Sequence, residues 1–224
     1  ISGEVYELYE YSEGVREGYK RVDKLSDESE KVKNLLKNKK LVAVRRRNNI
    51  RRLALANFTT FDKFITFTFK ENIKDIDFAN RMFKNFIKRL RYKIGDFKYI
   101  SVIQFQERGA VHYHALMDIG YLEKEQLEKL WGHGYCKINA IDHVDNVGAY
   151  IVSYMVKNFD DDRLRGRKAY LLSKNLRRSK VIKGVEVDKI LNDIGVGPVY
   201  ESEYLTEKNG VCYYKEFNLR RCRK

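Results

Sequence analysis

Two histidines separated by one residue, His112 and His114, are the first candidates for chemistry in this chain. The alternating stretch from Val111 to Met117 predicts a β-strand around them. Successive side chains of a strand point to opposite faces of the sheet, so both imidazoles would project from one face. Such a pair can bind one metal ion, and it can equally be a structural pair with no ligand.

An acidic residue precedes the pair at the predicted turn formed by Glu107, Arg108 and Gly109, which follows a strand from Tyr99 to Gln106. The turn brings the end of one strand beside the start of the next, so the Glu107 carboxylate can approach the imidazoles. Two histidines and one carboxylate suit Mg²⁺ or Mn²⁺ and leave positions for water and a phosphate oxygen. The alternative is a solvated acid in a turn.

Tyr150, Tyr154 and Lys157 follow at spacings of four and three residues, which places them on one stripe of a predicted helix. A tyrosine hydroxyl is a poor nucleophile because its ordinary pKa is near 10. A metal ion that polarises a phosphate, together with a nearby lysine, would relieve that problem. The alternative is an aromatic stripe buried in the core, although the lysine favours a solvated cleft.

The elements that must position these residues have the predicted order β-α-β-β-α-β-α. The first strand is Phe64–Phe69, an amphipathic helix covers about Ala79 to Leu90, and Asp145 is the predicted cap of the tyrosine helix. The order of the first six elements is that of a split βαβ, or ferredoxin-like, antiparallel sheet. We therefore predict an α+β fold with helices on one face and an open face for a ligand and catalysis.

The composition divides the chain into a predicted core, residues 58–160, and two extensions. Residues 1–57 contain a short helix that starts near Asp27 and a basic arm or helix. Residues 161–224 are basic and contain a predicted hairpin at 201–217.

The charge predicts a polyanionic partner. Lys and Arg number 45 against 31 Asp and Glu, a net charge of +14, and the runs 31–57 and 163–183 contain no acid. Such runs attract phosphate backbones, although a solvated basic surface is the plainer alternative. The candidate DNA-binding residues are Arg45, Arg46, Arg47, Arg51, Arg52, Arg163, Arg165, Arg167 and Lys168.

Several classes of protein are excluded or disfavoured by composition. The sequence has no apolar run of about 18 residues, which argues against a membrane partner. Three cysteines without a CxxC pair argue for a reducing compartment rather than a disulfide scaffold. No phosphate-binding G-x-x-x-x-G-K-[ST] loop is present, so we expect no nucleotide cofactor.

Three segments fall in order over about ninety residues: Phe64–Phe69, Glu107–His114 and Tyr154–Lys157. Together they resemble the three motifs of the HUH endonucleases, and in particular of the rolling-circle replication initiators (Rep proteins) of phages and plasmids. The resemblance covers roughly residues 57–160. It implies metal-dependent, site-specific nicking and joining of single-stranded DNA through a 5′-phosphotyrosine intermediate.

The resemblance also implies a role for each motif residue. His112 and His114 match the metal-binding pair, and Glu107 matches the acidic third ligand. Tyr154 matches the nucleophile and Lys157 the residue that positions or neutralises the phosphate. Tyr150 matches the extra tyrosine of two-tyrosine members, but those members usually have Lys before the second tyrosine, where this chain has Ser153.

The implied cofactor is Mn²⁺ or Mg²⁺, and the implied substrate is single-stranded origin DNA, as an open strand or a hairpin. A host helicase and polymerase are the implied partners, in the cytoplasm of a bacterial host. Two alternatives stay open: a single-strand transposase or relaxase of the same superfamily, and a non-catalytic nucleic-acid-binding module. The tyrosine follows the histidines, unlike in most relaxases, and the basic arm favours an initiator over a small transposase.

Overall fold

A computed structural model describes residues 1–14, 28–141, 146–156, 161–164, 166–206 and 209–221. The chain divides into two compact units, of which the larger is residues 46–178 and the smaller combines residues 1–45 with 179–224. The larger unit thus extends the predicted core, 58–160, by twelve residues before it and eighteen after it.

The larger unit contains the predicted β-α-β-β-α-β-α series, which the structure confirms, and one further strand. Its elements are β2 (Lys63–Phe69), α2 (Ile76–Ile94), β3 (Tyr99–Phe105), β4 (Val111–Met117), α3 (Lys124–Trp131), β5 (Gly134–Asn139), α4 (Val147–Val156) and β6 (Tyr170–Leu172). The five strands lie in the order β5-β2-β4-β3-β6, and every neighbouring pair is antiparallel. This is an α+β fold with a ferredoxin-like arrangement, as predicted.

Helix α2 closes one face of this sheet. Asp75 starts the helix by accepting hydrogen bonds from the backbone N–H groups of Asp77 and Phe78 at 2.8 and 3.2 Å. The apolar residues recur at helical spacing, and Phe83 is fully buried. Its ring stacks on that of Tyr113 in β4, with 4.5 Å between the ring centres. The odd-numbered residues of β4 therefore face the helix layer, as the strand alternation predicts.

The smaller unit is built around a three-stranded antiparallel sheet of order β1-β8-β7. Its strands are β1 (Val5–Tyr11), β7 (Tyr200–Leu205) and β8 (Val211–Asn218), and helix α5 (Val185–Ile194) precedes β7. The predicted hairpin is confirmed as β7 and β8. Strand β1 lies in a segment for which the sequence pattern predicts no element.

The basic arm forms part of one long helix, α1 (Glu28–Asn57), together with most of the helix predicted near Asp27. Residue 27 itself lies outside the described residues. Crossing a bilayer would require a long apolar helix, and none of the helices within the described ranges has that character.

Candidate functional site

The face of the larger sheet opposite α2 carries both histidines of β4. In the strand register, His112 lies between Gln104 of β3 and Thr68 of β2. His114 lies in the next row on that face, between β3 and Thr66 of β2. Because side chains at directly opposed positions share a face of the sheet, these polar groups converge at the centre of the sheet.

Gln104 joins the two histidines. Its Oε1 atom lies 2.9 Å from Nε2 of His112 and 2.7 Å from Nε2 of His114. On the other side of the His114 ring, Nδ1 lies 2.9 Å from Oγ1 of Thr66. One amide oxygen and two imidazole nitrogens therefore meet at one point, and Thr66 orients one of the two rings.

Burial keeps both imidazoles neutral at physiological pH. It lowers the pKa of His112 to about 4. The pKa of His114 falls to about 3, mainly through burial and partly through the nearby His112. Neutral imidazole is the form that ligates metals, so the pair is ready to bind a cation without first losing a proton.

The convergence of donors fits a divalent cation. Ligands at right angles to each other and 2.1 Å from an octahedral cation are about 3 Å apart. The two distances from Gln104 Oε1 to the imidazole nitrogens, 2.9 and 2.7 Å, are close to that spacing. Nitrogen and amide oxygen donors with open positions suit Mn²⁺ or Mg²⁺.

The sequence predicts Glu107 as the third ligand, and the structure does not bring it to the histidines. It is exposed in the turn between β3 and β4. Within the described part of the chain, no three His, Cys, Asp or Glu side chains form a group that could hold a metal ion. The donor beside the pair is instead the amide of Gln104.

Sequence reasoning missed Gln104 because it considered only a carboxylate close to the turn. The usable signal is the hairpin register. The N–H of Gln106 donates to the carbonyl of Ala110 at 2.9 Å, which closes the turn. Counting back along the two strands from that bond places Gln104 directly opposite His112.

Helix α4 lies against β3 and β4. Asn146 starts it, since its Oδ1 atom accepts a hydrogen bond from the N–H of Ala149 at 2.8 Å, whereas the predicted cap, Asp145, lies outside the described residues. Gly148 lets the helix approach α1 closely, because a Cβ atom there would lie 2.6 Å from the carbonyl oxygen of Arg51. Contacts with the sheet and with the end of α1 therefore fix the position of α4.

Tyr154 lies over the histidines. Its ring centre is 4.2 Å from that of His114 and 4.8 Å from that of Phe64. Its hydroxyl donates a hydrogen bond to the hydroxyl of Tyr150 at 3.2 Å, and Tyr150 packs edge-on against Phe64. The two tyrosines of the predicted stripe are thus together at the site, while Lys157 lies outside the described residues.

The Tyr154 phenol is protonated at neutral pH. Burial and the neighbouring Tyr150 raise its pKa to about 12. A nucleophilic role therefore requires a cation close to the reacting oxygen or a group that accepts the proton.

The predicted DNA-binding residues fall into two groups. Arg45, Arg46, Arg47, Arg51 and Arg52 all lie on α1. In the second group, Arg163 donates to Asp161 at 2.8 Å and Arg167 lies 2.6 Å from Asp77, so both have carboxylate partners. Lys168 is exposed, and Arg165 lies outside the described residues.

Comparison with known proteins relates the core to replication. A family model of replication-associated proteins, of the ORF2 type, matches residues 62–159, which include all the strands of the site. This match is consistent with a replication initiator of the Rep type and indicates a role in DNA replication. Comparison with curated proteins and with solved structures gave no match.

Proposed function

We propose that this protein is a rolling-circle replication initiator that nicks and rejoins single-stranded DNA through a 5′-phosphotyrosine intermediate. The observation that carries the proposal is the position of Tyr154, whose ring lies 4.2 Å from that of His114. A nucleophile of this type beside a pair of neutral histidines suits metal-assisted attack on a phosphodiester. The match of residues 62–159 to replication-associated proteins supports the same conclusion.

His112, His114 and Gln104 would hold a divalent cation. When bound, that cation supplies Lewis-acid polarisation of the scissile phosphate. Thr66 can serve as the outer partner of His114 in either state, because a hydroxyl both donates and accepts. With Nε2 as a ligand the imidazole hydrogen sits on Nδ1, and Thr66 Oγ1, 2.9 Å away, accepts it.

Tyr154 would attack the phosphorus through its phenolic oxygen. The new bond joins that oxygen to phosphorus, the bond from phosphorus to the 3′ oxygen breaks, and the phenolic proton ends on the released 3′-hydroxyl. The reaction exchanges one phosphodiester for another, so it requires no nucleotide. Tyr150 holds the attacking hydroxyl by the 3.2 Å hydrogen bond, and we assign it a positioning role. The released 3′ end would be extended by a host polymerase behind a host helicase.

The experiment is covalent capture. The protein is mixed with a labelled single-stranded oligonucleotide library and Mn²⁺, and the products are separated on a denaturing gel. We expect a labelled band at the mass of the protein that disappears with EDTA and with Tyr154→Phe. Sequencing the trapped strands would reveal the origin. Binding that persists in EDTA without any covalent band would instead identify a non-catalytic nucleic-acid-binding module.

A further inference from the structure

Helix α2 carries more positive charge than its packing uses. Three of its basic side chains have structural partners. Arg89 donates hydrogen bonds to the last two carbonyls of α3, at 2.9 and 3.0 Å. Arg91 lies 3.7 Å from a carboxylate just beyond the end of α2, and Lys93 donates to a glutamine of α3 at 3.0 Å. These contacts explain half of the basic residues between positions 81 and 93.

The other half, Arg81, Lys84 and Lys88, form an exposed stripe. Their spacing of three and four residues places them along one side of the helix, over about 10 Å of its axis. Among the described residues, none of the three has an ion pair or a hydrogen bond. Like charges at this spacing weaken a helix by a few tenths of a kcal/mol, so helix stability does not explain the stripe.

The stripe and the catalytic residues lie on opposite sides of the sheet. The buried side of α2, which includes Phe83, packs against the sheet face that carries Tyr113. His112 and His114 lie on the other face, under Tyr154. A helix about 10 Å in diameter and the sheet therefore separate the stripe from the reacting groups. The stripe is a separate surface rather than part of the catalytic site.

We propose that the stripe of Arg81, Lys84 and Lys88 binds the phosphate backbone of duplex DNA that flanks the nicking site. The proposal rests on the proposed function for the identity of the polyanion. Duplex DNA carries one charge per about 1.7 Å of its axis, so a rigid row of cations finds several phosphates at once. Surfaces for single strands add exposed aromatic side chains on which bases stack. The aromatic residues between positions 81 and 88, Phe83 and Phe86, are both buried.

Helix α3, in the same layer, provides a matched control. Its exposed lysines, Lys124 and Lys129, are balanced by Glu125 and Glu128, and Lys124 lies 3.8 Å from Glu128. A charge removed from α3 therefore resembles one removed from α2 in type and exposure but lies outside the stripe.

The test compares Lys84→Gln/Lys88→Gln with Lys124→Gln/Lys129→Gln in the full chain. Binding to a duplex of about 20 base pairs and to a single strand of the same sequence is followed by fluorescence anisotropy at several salt concentrations. We expect the α2 variant to bind duplex at least about tenfold more weakly in about 0.1 M salt. Its plot of log affinity against log salt should be shallower by about 1.8, since each lost phosphate contact removes about 0.9.

Single-strand nicking with Mn²⁺ should stay within about twofold of wild type in both variants, because the stripe does not touch the site. Equal losses in the α2 and α3 variants would overturn the proposal, as would an equal loss for duplex and single strand. A wild-type protein that shows the duplex effect but never nicks would remove the proposed function and leave the duplex surface standing. Unchanged thermal unfolding of both variants excludes a folding defect.

Discussion

The two faces of β4 show how one strand serves two purposes. On one face, the Tyr113 ring stacks on Phe83 and its hydroxyl donates to Asn80 at 2.9 Å. On the other face, His114 is also buried but contacts Gln104, Thr66 and Tyr154. Burial therefore does not distinguish core from site. The difference is that polar groups from four elements converge on one face, whereas aromatic rings fill the other.

The largest expected effect is on chemistry alone. Tyr154→Phe removes the proposed nucleophile and should lower nicking by at least about 10⁴-fold, as loss of a covalent nucleophile does in other enzymes. The free energy of unfolding should change by only about 1 kcal/mol, because only the hydrogen bond to Tyr150 is lost. Oligonucleotide cleavage and urea unfolding measure the two quantities.

Tyr150→Phe is the matched control, since it removes the other hydroxyl of the same hydrogen bond. We expect it to retain the covalent band, with nicking reduced by about tenfold or less. Loss of the band in Tyr150→Phe together with its survival in Tyr154→Phe would reverse the assignment of the two tyrosines.

On the core face, Phe83→Ala should act on stability. Truncation of a fully buried phenylalanine costs about 3–5 kcal/mol. Urea unfolding at room temperature measures the loss. If the folded fraction still nicks at close to the normal rate, the two faces are separable. A variant of full stability would contradict the role given to this ring.

Gln104→Ala and Glu107→Ala together decide the third metal ligand. We expect Gln104→Ala to weaken Mn²⁺ binding by at least about tenfold, because it removes the oxygen that meets both imidazoles. Glu107→Ala should bind Mn²⁺ normally, since that carboxylate is exposed in the turn. Mn²⁺ titration by calorimetry gives both affinities, and the reverse pattern would restore the carboxylate as the ligand.

The smallest effect is a dependence of stability on pH. Both histidines have a pKa in the folded protein, about 4 and about 3, that lies below the value near 6.5 of an unfolded chain. The unfolded state therefore takes up protons below about pH 6.5 that the folded state does not, and stability falls as the pH falls. We expect a loss of about 1 kcal/mol between about pH 7 and pH 6 in metal-free buffer. His114→Gln should roughly halve that loss, and an unchanged slope would show that other groups cause it.

Local pattern predicted most of the larger unit, because its strands and helices alternate at clear periods. Strand β2, helix α2 and the face shared by His112 and His114 all follow from such periods. Gln104 required the register of a hairpin, which depends on the hydrogen bonds of the turn rather than on residue type. A prediction from motifs favours the nearest carboxylate, and here the nearest carboxylate is Glu107.

Long-range pairing accounts for the elements that pattern did not predict. Strand β1 is rich in Tyr and Glu and has no apolar alternation, and its partner β8 lies about 200 residues further along the chain. Strand β6 has three residues at the edge of the larger sheet, which is too short for a period to appear. Both strands are defined by the partner they pair with.

The pairing of β1 with β8 sets the order in which the protein can be completed during synthesis. The ribosome releases β1 first, then all of residues 46–178, and β8 only afterwards. The larger unit can therefore fold while β1 still lacks its partner. Throughout that interval β1 is an unpaired strand edge with Tyr9 and Tyr11 available to other chains, so the smaller unit is the part of the protein most exposed to misassembly before release.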